Sequence, residues 1–231
     1  MALTIPVREV LEATPRARIV RLDLGGADFS YRAGQAVYVA PHGGGSRRAY
    51  SLAQAPEDTK RNGRLELLVG VDADGRAGDL PLTVGSLVDV DGPLGRFVFP
   101  DAPPVDRFTF IAGGTGIAPL RAMLRHALHL RHDKICVLYS ARTTTDFAYE
   151  SELRELAQAR RIDLWQTVTR ETDETGWAGP RGRIGRDALA PLVEDPATLC
   201  FICGPRALVD DIPRLLRELG VAEERIRIEE W

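Results

Sequence analysis

The densest chemical signal in the sequence is a cluster of three glycines. Gly113, Gly114 and Gly116 stand in the run Phe-Ile-Ala-Gly-Gly-Thr-Gly-Ile-Ala-Pro, residues 110–119, between a short apolar run and an amphipathic segment. Glycine permits a tight turn and leaves the backbone bare, so an anionic group can approach closely. Pro119 suits the first helical turn, where its missing N–H costs nothing. The N–H groups and the positive helix end would then make an anion site matched to a pyrophosphate. The alternative is a plain strand-to-helix joint that holds no ligand.

Further along, two strand ends carry arginine. In the usual dinucleotide site an acidic residue after the second strand holds the ribose 2′-hydroxyl. Here that strand ends Tyr139-Ser140-Ala141-Arg142, and the next ends Thr169-Arg170. Arginine contacts phosphate bidentately, so Arg142 and Arg170 suit a 2′-phosphate, hence NADPH over NADH. Solvated loop arginines are the alternative. Earlier in the chain, Arg48-Ala49-Tyr50-Ser51-Leu52 has strand alternation, which sets Arg48 and Tyr50 on one face as a cation beside an aromatic plate. Cys200-x-x-Cys203 falls on one apolar strand with no second pair, which reads as core packing rather than half a zinc site or a redox pair. His126, His129 and His132 fan around one helical segment and read as a solvated face. Trp165 and Trp177 read as packing residues, with Trp177 in a loop that could border a nucleotide.

These residues need two kinds of framework. Up to about residue 100 the apolar pattern alternates, as in Val20, Leu22 and Leu24, in Leu65, Leu67, Val69 and Val71, and in Val88 and Val90. Turn signals separate the runs: Gly25-Gly26, Gly43-Gly44-Gly45, Asn62-Gly63, Asp74-Gly75 and Gly92-Pro93. Short strands so spaced predict a small antiparallel barrel without a long helix. After the Pro100–Pro104 stretch, strand-like runs near 108–111, 135–139, 162–168, 198–203 and 226–228 alternate with helical segments near 119–130, 149–160 and 207–219. That alternation predicts a parallel sheet with helices on both faces.

With these motifs assembled, the chain resembles the ferredoxin–NADP reductase superfamily over essentially its whole length. Arg48, Tyr50 and Ser51 match the family's Arg-x-Tyr-Ser; 113–119 match Gly-Gly-Thr-Gly-Ile-Ala-Pro without a change; Cys203-Gly204-Pro205 match its Cys-Gly-Pro. Residues 85–95 resemble the family's barrel-closing turn. The resemblance implies a β plus α/β fold: a six-stranded antiparallel flavin-binding barrel over 1–100, then a parallel-sheet NAD(P)-binding domain over 101–231. By the same resemblance, Arg48 would pair with flavin phosphate, Tyr50 and Ala49 would lie at the isoalloxazine, and Ser51 would hydrogen-bond near its N5. Gly114, Thr115, Gly116 and Pro119 would serve the nicotinamide nucleotide, and Cys203, Gly204 and Pro205 would flank its reacting carbon. Plant-type members end in an aromatic residue that covers the flavin, two positions after a catalytic glutamate, which maps to Trp231 and Glu229. Ser51, Cys203 and Glu229 are thus the expected catalytic set, and truncating Trp231 is expected to tighten nicotinamide binding. The family's Gly-x-x-Ser flavin turn reads here Gly75-Arg76-Ala77-Gly78-Asp79-Leu80, without the serine, so Gly75, Ala77 and Gly78 would contribute backbone only.

The resemblance implies FAD rather than FMN, a pyridine nucleotide as hydride donor, and a separate acceptor such as a ferredoxin, flavodoxin or oxygenase component. Two rivals stand beside it: a reductase of free flavin, and a non-catalytic nucleotide-sensing subunit. The 231 residues are 44% apolar and 27% charged, ordinary for a globular protein and contrary to disorder. A net charge of −3 gives nucleic acid no electrostatic footing. Three cysteines make no disulfide framework and suggest a reducing, cytoplasmic setting. Neither a signal peptide nor a membrane-length apolar run is read in the chain.

Overall fold

The computed structural model describes residues 2–171 and 176–230. The first half holds β1 (Ala2–Thr14), β2 (Ala17–Asp23), β3 (Ala36–Pro41), β4 (Arg48–Ser51), the short helix α1 (Pro56–Asn62), β5 (Arg64–Gly70) and β6 (Leu87–Leu94). The six strands are antiparallel in the order β4-β3-β6-β1-β2-β5, and an antiparallel bridge from Leu52 to Leu67 joins the outer strands into a barrel. The alternating residues point as their period requires: Val20, Leu22, Leu24, Leu65, Leu67, Val69, Val88 and Val90 share one buried cluster.

Two expectations are corrected here. Residues 85–95, expected as a barrel-closing turn, are mostly β6, an interior strand between β3 and β1. Gly92 lies within it, where a Cβ would come 3.0 Å from Val37 Cγ1, so the glycine lets β3 approach closely. Asn62-Gly63, expected as a turn between strands, ends α1 instead. Gly63 adopts the left-handed conformation at φ 68 and its N–H donates to the Thr59 carbonyl.

The second half runs β7 (Arg107–Gly113), a 3-10 turn over Gly114–Gly116, α2 (Ile117–Ala127), β8 (Lys134–Ala141), α3 (Glu150–Gln158), β9 (Asp163–Val168), α4 (Arg186–Leu189), β10 (Leu199–Gly204), α5 (Arg206–Glu218) and β11 (Ile226–Glu230). All five strands are parallel, in the order β11-β10-β7-β8-β9. Buried clusters lie on both faces. The proline-rich connection is anchored by Phe99, whose ring stacks on Phe201 at 5.3 Å and meets Phe108 edge-on at 5.0 Å. Truncating such a residue typically costs about 3–5 kcal/mol, enough to threaten a marginally stable fold.

α2 is sewn to the barrel's α1. Arg125 binds Asp58 through two nitrogens, and the His126 imidazole lies 2.9 Å from Glu57 with its ring against Phe99. The expected solvated histidine face is therefore not found: α2 ends at Ala127, and only His126 is on it, half-buried at this contact. Trp165 is exposed on the edge strand β9, contrary to its reading as a packing residue. Trp177 packs near Phe147, its indole N–H donating to the Pro180 carbonyl at 3.0 Å. Among the described residues no helix is long and apolar enough to cross a membrane.

Candidate active site

A cleft of about 760 Å³ opens at the carboxyl ends of the parallel strands, where open α/β sheets bind their ligands. Gly114, Thr115, Arg142, Arg170 and Pro205 all line it. Gly114 turns at φ +56 with open space where a Cβ would stand, so the backbone conformation is what demands glycine. Gly116 answers a different need: a Cβ there would lie 2.4 Å from the Cys203 carbonyl oxygen, so it permits the turn to pack on β10. Gly204 similarly meets Gly113 backbone at 3.0 Å. Pro119 is the third residue of α2, is buried, and is not among the lining residues. The Arg170 N–H donates to the Arg142 carbonyl at 2.8 Å, so the two exposed arginines leave neighbouring strand ends, and both line the cleft. The carboxylates nearest these two arginines along the chain are already engaged, while Asp211 of α5 also lines the cleft. Asp146 accepts from Arg16 Nε at 3.2 Å and from the Thr143 hydroxyl at 2.7 Å, while Glu171 accepts from the Thr144 N–H.

The second cluster lies in the barrel. Arg48 is exposed and Tyr50 buried; burial pushes the Tyr50 hydroxyl's pKa up and the nearby Arg48 guanidinium pulls it back. The guanidinium rests on the 75–80 turn: a Cβ on Gly78 would lie 2.7 Å from Arg48 Nη2, and Gly78 sits at φ +62. Asp72 organises that turn by accepting from the Asp74 and Arg76 N–H groups, with Gly75 at φ +76. Ala77 is buried and bridges Leu80. Asp79 ties the turn to the glycine tract by accepting from the Ser46 hydroxyl at 2.6 Å, which lowers its carboxyl's pKa. Ala49 is exposed and pairs with Tyr38; Ser51 is buried opposite Ala36.

The third group is formed by β10 and β11, which put Cys203 and Glu229 in register. Cys203 is fully buried, and burial, then Glu229, pushes its thiol up, so it stays protonated. Burial also raises the Glu229 carboxyl to about 7, and its Oε2 is buried without a hydrogen-bond partner. A buried orphan oxygen of this kind calls for a ligand donor. Trp231 lies outside the described residues.

Comparison with known proteins decides the family. Residues 4–99 match the oxidoreductase FAD-binding domain and residues 110–214 the oxidoreductase NAD-binding domain. The chain is 34% identical to ferredoxin–NADP reductase B of Sorangium cellulosum, over 89% of this chain and 87% of that protein. The chain belongs to the ferredoxin–NADP reductase superfamily. A further relative is the reductase subunit of an aromatic O-demethylase from Amycolatopsis, 31% identical over 99% of this chain and 69% of the relative. Among solved structures, the Amycolatopsis cytochrome P450 reductase superposes with a TM-score of 0.85 at 29% identity, covering 100% of this chain and 69% of that one. The ferredoxin reductase of a carbazole 1,9a-dioxygenase does so at 0.84 and 25% identity, again covering 100% and 69%. The protein is an oxidoreductase that uses FAD, with a pyridine nucleotide as hydride donor.

The family assignment fits the residues present. Arg48 is an exposed cation against a turn whose Gly78 leaves no room for a Cβ, and Glu229 holds a buried oxygen without a partner; both suit an anionic, hydrogen-bonding cofactor. Several residues at the cleft had no motif to announce them. Thr14, Arg16, Leu68 and Val71 reach it from the barrel, and Asp146 and Arg183 from the second half. Only Asp146 had a usable signal, since Thr143-x-x-Asp146 has capping-box spacing and forms that box.

Proposed function

We propose that this chain takes hydride from NADPH in preference to NADH and passes electrons to a separate acceptor: a ferredoxin, a flavodoxin or an oxygenase component. FAD, when bound, accepts two electrons as hydride and can release them one at a time. In this reading Arg48 and the 75–80 backbone hold its phosphates, while Tyr50 and Ser51 orient the ring. Gly114, Thr115 and Pro205 seat the nicotinamide nucleotide. Cys203 excludes water at the reacting carbon, and Glu229 keeps a proton at its carboxyl up to about neutral pH. Hydride transfer needs donor and acceptor about 3–3.5 Å apart, so orientation by these groups is the protein's main contribution.

The observation that carries the nucleotide preference is that Arg142 and Arg170 both line the cleft at neighbouring strand ends, each close in the chain to a carboxylate, Asp146 or Glu171, that already serves a protein donor. Two cations whose chain neighbours Asp146 and Glu171 are engaged favour a 2′-phosphate over a bare ribose hydroxyl. Support for a protein acceptor comes from relatives that are reductase components of an O-demethylase and a dioxygenase.

The test is an anaerobic absorption titration of purified protein with NADPH and, separately, NADH, followed by turnover with ferredoxin, flavodoxin and oxygenase components. Flavin bands that bleach at lower NADPH than NADH, with turnover on one of the acceptors, support the reading. A colourless protein that oxidises nucleotide only when flavin is added would make it a free-flavin reductase. Bound flavin and nucleotide without turnover on any acceptor, artificial ones included, would make it a sensing subunit.

A further inference from the structure

We infer that the Tyr139 hydroxyl is the positioning group that sets both walls of the nucleotide cleft. Tyr139 lies on β8 and is fully buried, yet its oxygen reaches two loops that no helix or strand fixes to each other. It donates to the Gly114 carbonyl at 3.0 Å and accepts from the Ala148 N–H at 3.2 Å. A phenol can do both at once, having one proton and free lone pairs. Burial pushes its pKa far up, so the proton that Gly114 needs stays in place.

The first of these bonds bears on the glycine turn. The Gly114 carbonyl also accepts from the Ile117 N–H, and the two donors hold it inward. The early N–H groups of a helical turn have no acceptor within it, and a pinned Gly114 keeps their direction constant. The second bond bears on the opposite wall. Ala148 closes the segment that follows Arg142, within which Asp146 caps the turn and holds Arg16 of the barrel. Phe147 meets the Tyr139 ring edge-on at 5.1 Å, so the ring is fixed by packing and the oxygen by its bonds. Replacing the hydroxyl by hydrogen would leave a buried donor without its acceptor, and the Gly114 carbonyl with one donor fewer. Such groups are costly to leave unpaired.

This inference rests on the cleft being the nucleotide site, and the experiment separates the two. Calorimetric titration of the FAD-loaded protein uses ADP-ribose and its 2′-phosphorylated form as probes. In Tyr139→Phe the dissociation constant of the tighter probe should rise about tenfold. FAD per chain should stay at the wild-type value, and the loss in kcat/KM for nucleotide should lie in KM. Leu153→Val loosens the core of the same half from α3 without touching the cleft lining, and should bind within about twofold of wild type. A Tyr139→Phe constant unchanged from wild type overturns the inference, as does an equal loss in Leu153→Val. Failure of the wild type to bind either probe overturns the cleft reading itself. Should Tyr139→Phe not fold, hydrogen exchange on the wild type decides. The Ala148 amide should exchange slowly and slow further with the probe; exchange as fast as that of an open loop amide, or no response to the probe, overturns the role.

Discussion

The Arg121 guanidinium donates to the Glu66 carboxylate at 2.8 Å, although the two belong to different halves of the chain and both are almost fully buried. Each is shared. Glu66 on β5 also accepts from Arg21 at 2.7 Å, and Arg121 on α2 also donates to the Ala53 carbonyl and to Glu152 while stacking 4.1 Å over the Tyr149 ring. Buried ions seldom stabilise a fold beyond what apolar packing would, because desolvation offsets their attraction. What the arrangement does fix is orientation: α2, which starts at the glycine turn, cannot rotate against β5 without stripping partners from a buried charge.

Arg121→Met should therefore destabilise the protein by about 3–5 kcal/mol, because it withdraws a partner from buried Glu66 and from Glu152. Urea unfolding followed by flavin fluorescence and by circular dichroism would measure it. A midpoint equal to wild type would mean the network relaxes around the loss.

Gly78→Ala brings a Cβ to 2.7 Å from Arg48 and asks a left-handed conformation of an alanine. The conformational cost alone is about 1–2 kcal/mol, and Arg48 must shift as well. FAD affinity, read by fluorescence on unfolding or by equilibrium dialysis, should fall about tenfold or more, with the nucleotide cleft unaffected.

Arg142→Ala and Arg170→Ala should each weaken NADPH and leave NADH nearly unchanged. A charge-assisted hydrogen bond contributes about 1.5–3 kcal/mol, which is roughly ten- to a hundredfold in affinity. Steady-state KM values for both nucleotides check this; equal losses for the two would remove the 2′-phosphate from the account.

Glu229 makes a pH prediction whose sign follows from burial. Its folded value of about 7 stands above the ordinary 4.5, so the fold favours the protonated carboxyl. The stability it contributes is complete below about pH 4.5 and is lost as the pH rises through 7. Glu229→Gln should flatten that fall in unfolding free energy between pH 4.5 and 7. It should also remove an inflection near pH 7 from the rate of flavin reduction by nucleotide.

The parts of this site that were legible in the sequence are those made by neighbours along the chain. The run 113–119 carries its turn, its helix start and its close approach to β10 within seven residues, and Arg48 reaches Tyr50 by strand alternation alone. The period change after the prolines was enough to separate barrel from parallel sheet. What was not legible joins distant positions. Arg16 meets Asp146 across 130 residues, Glu66 meets Arg121 across 55, and Tyr139 meets Gly114 across 25. No local pattern encodes such meetings. His126 was misread for the same reason, since a helix face shows its residues but not the neighbour that covers them.

The bond between Arg16 and Asp146 has a practical corollary for anyone building hybrids from this scaffold. The loop that follows Arg142 is braced by the tip of the β1–β2 hairpin, so it is a shared part rather than a property of the second half. Exchanging the nucleotide half with that of a cousin would leave Arg16 facing a stranger's loop. A graft that carries residues 14–17 along with the new loop keeps the brace intact, and is the version we would expect to retain its coenzyme choice.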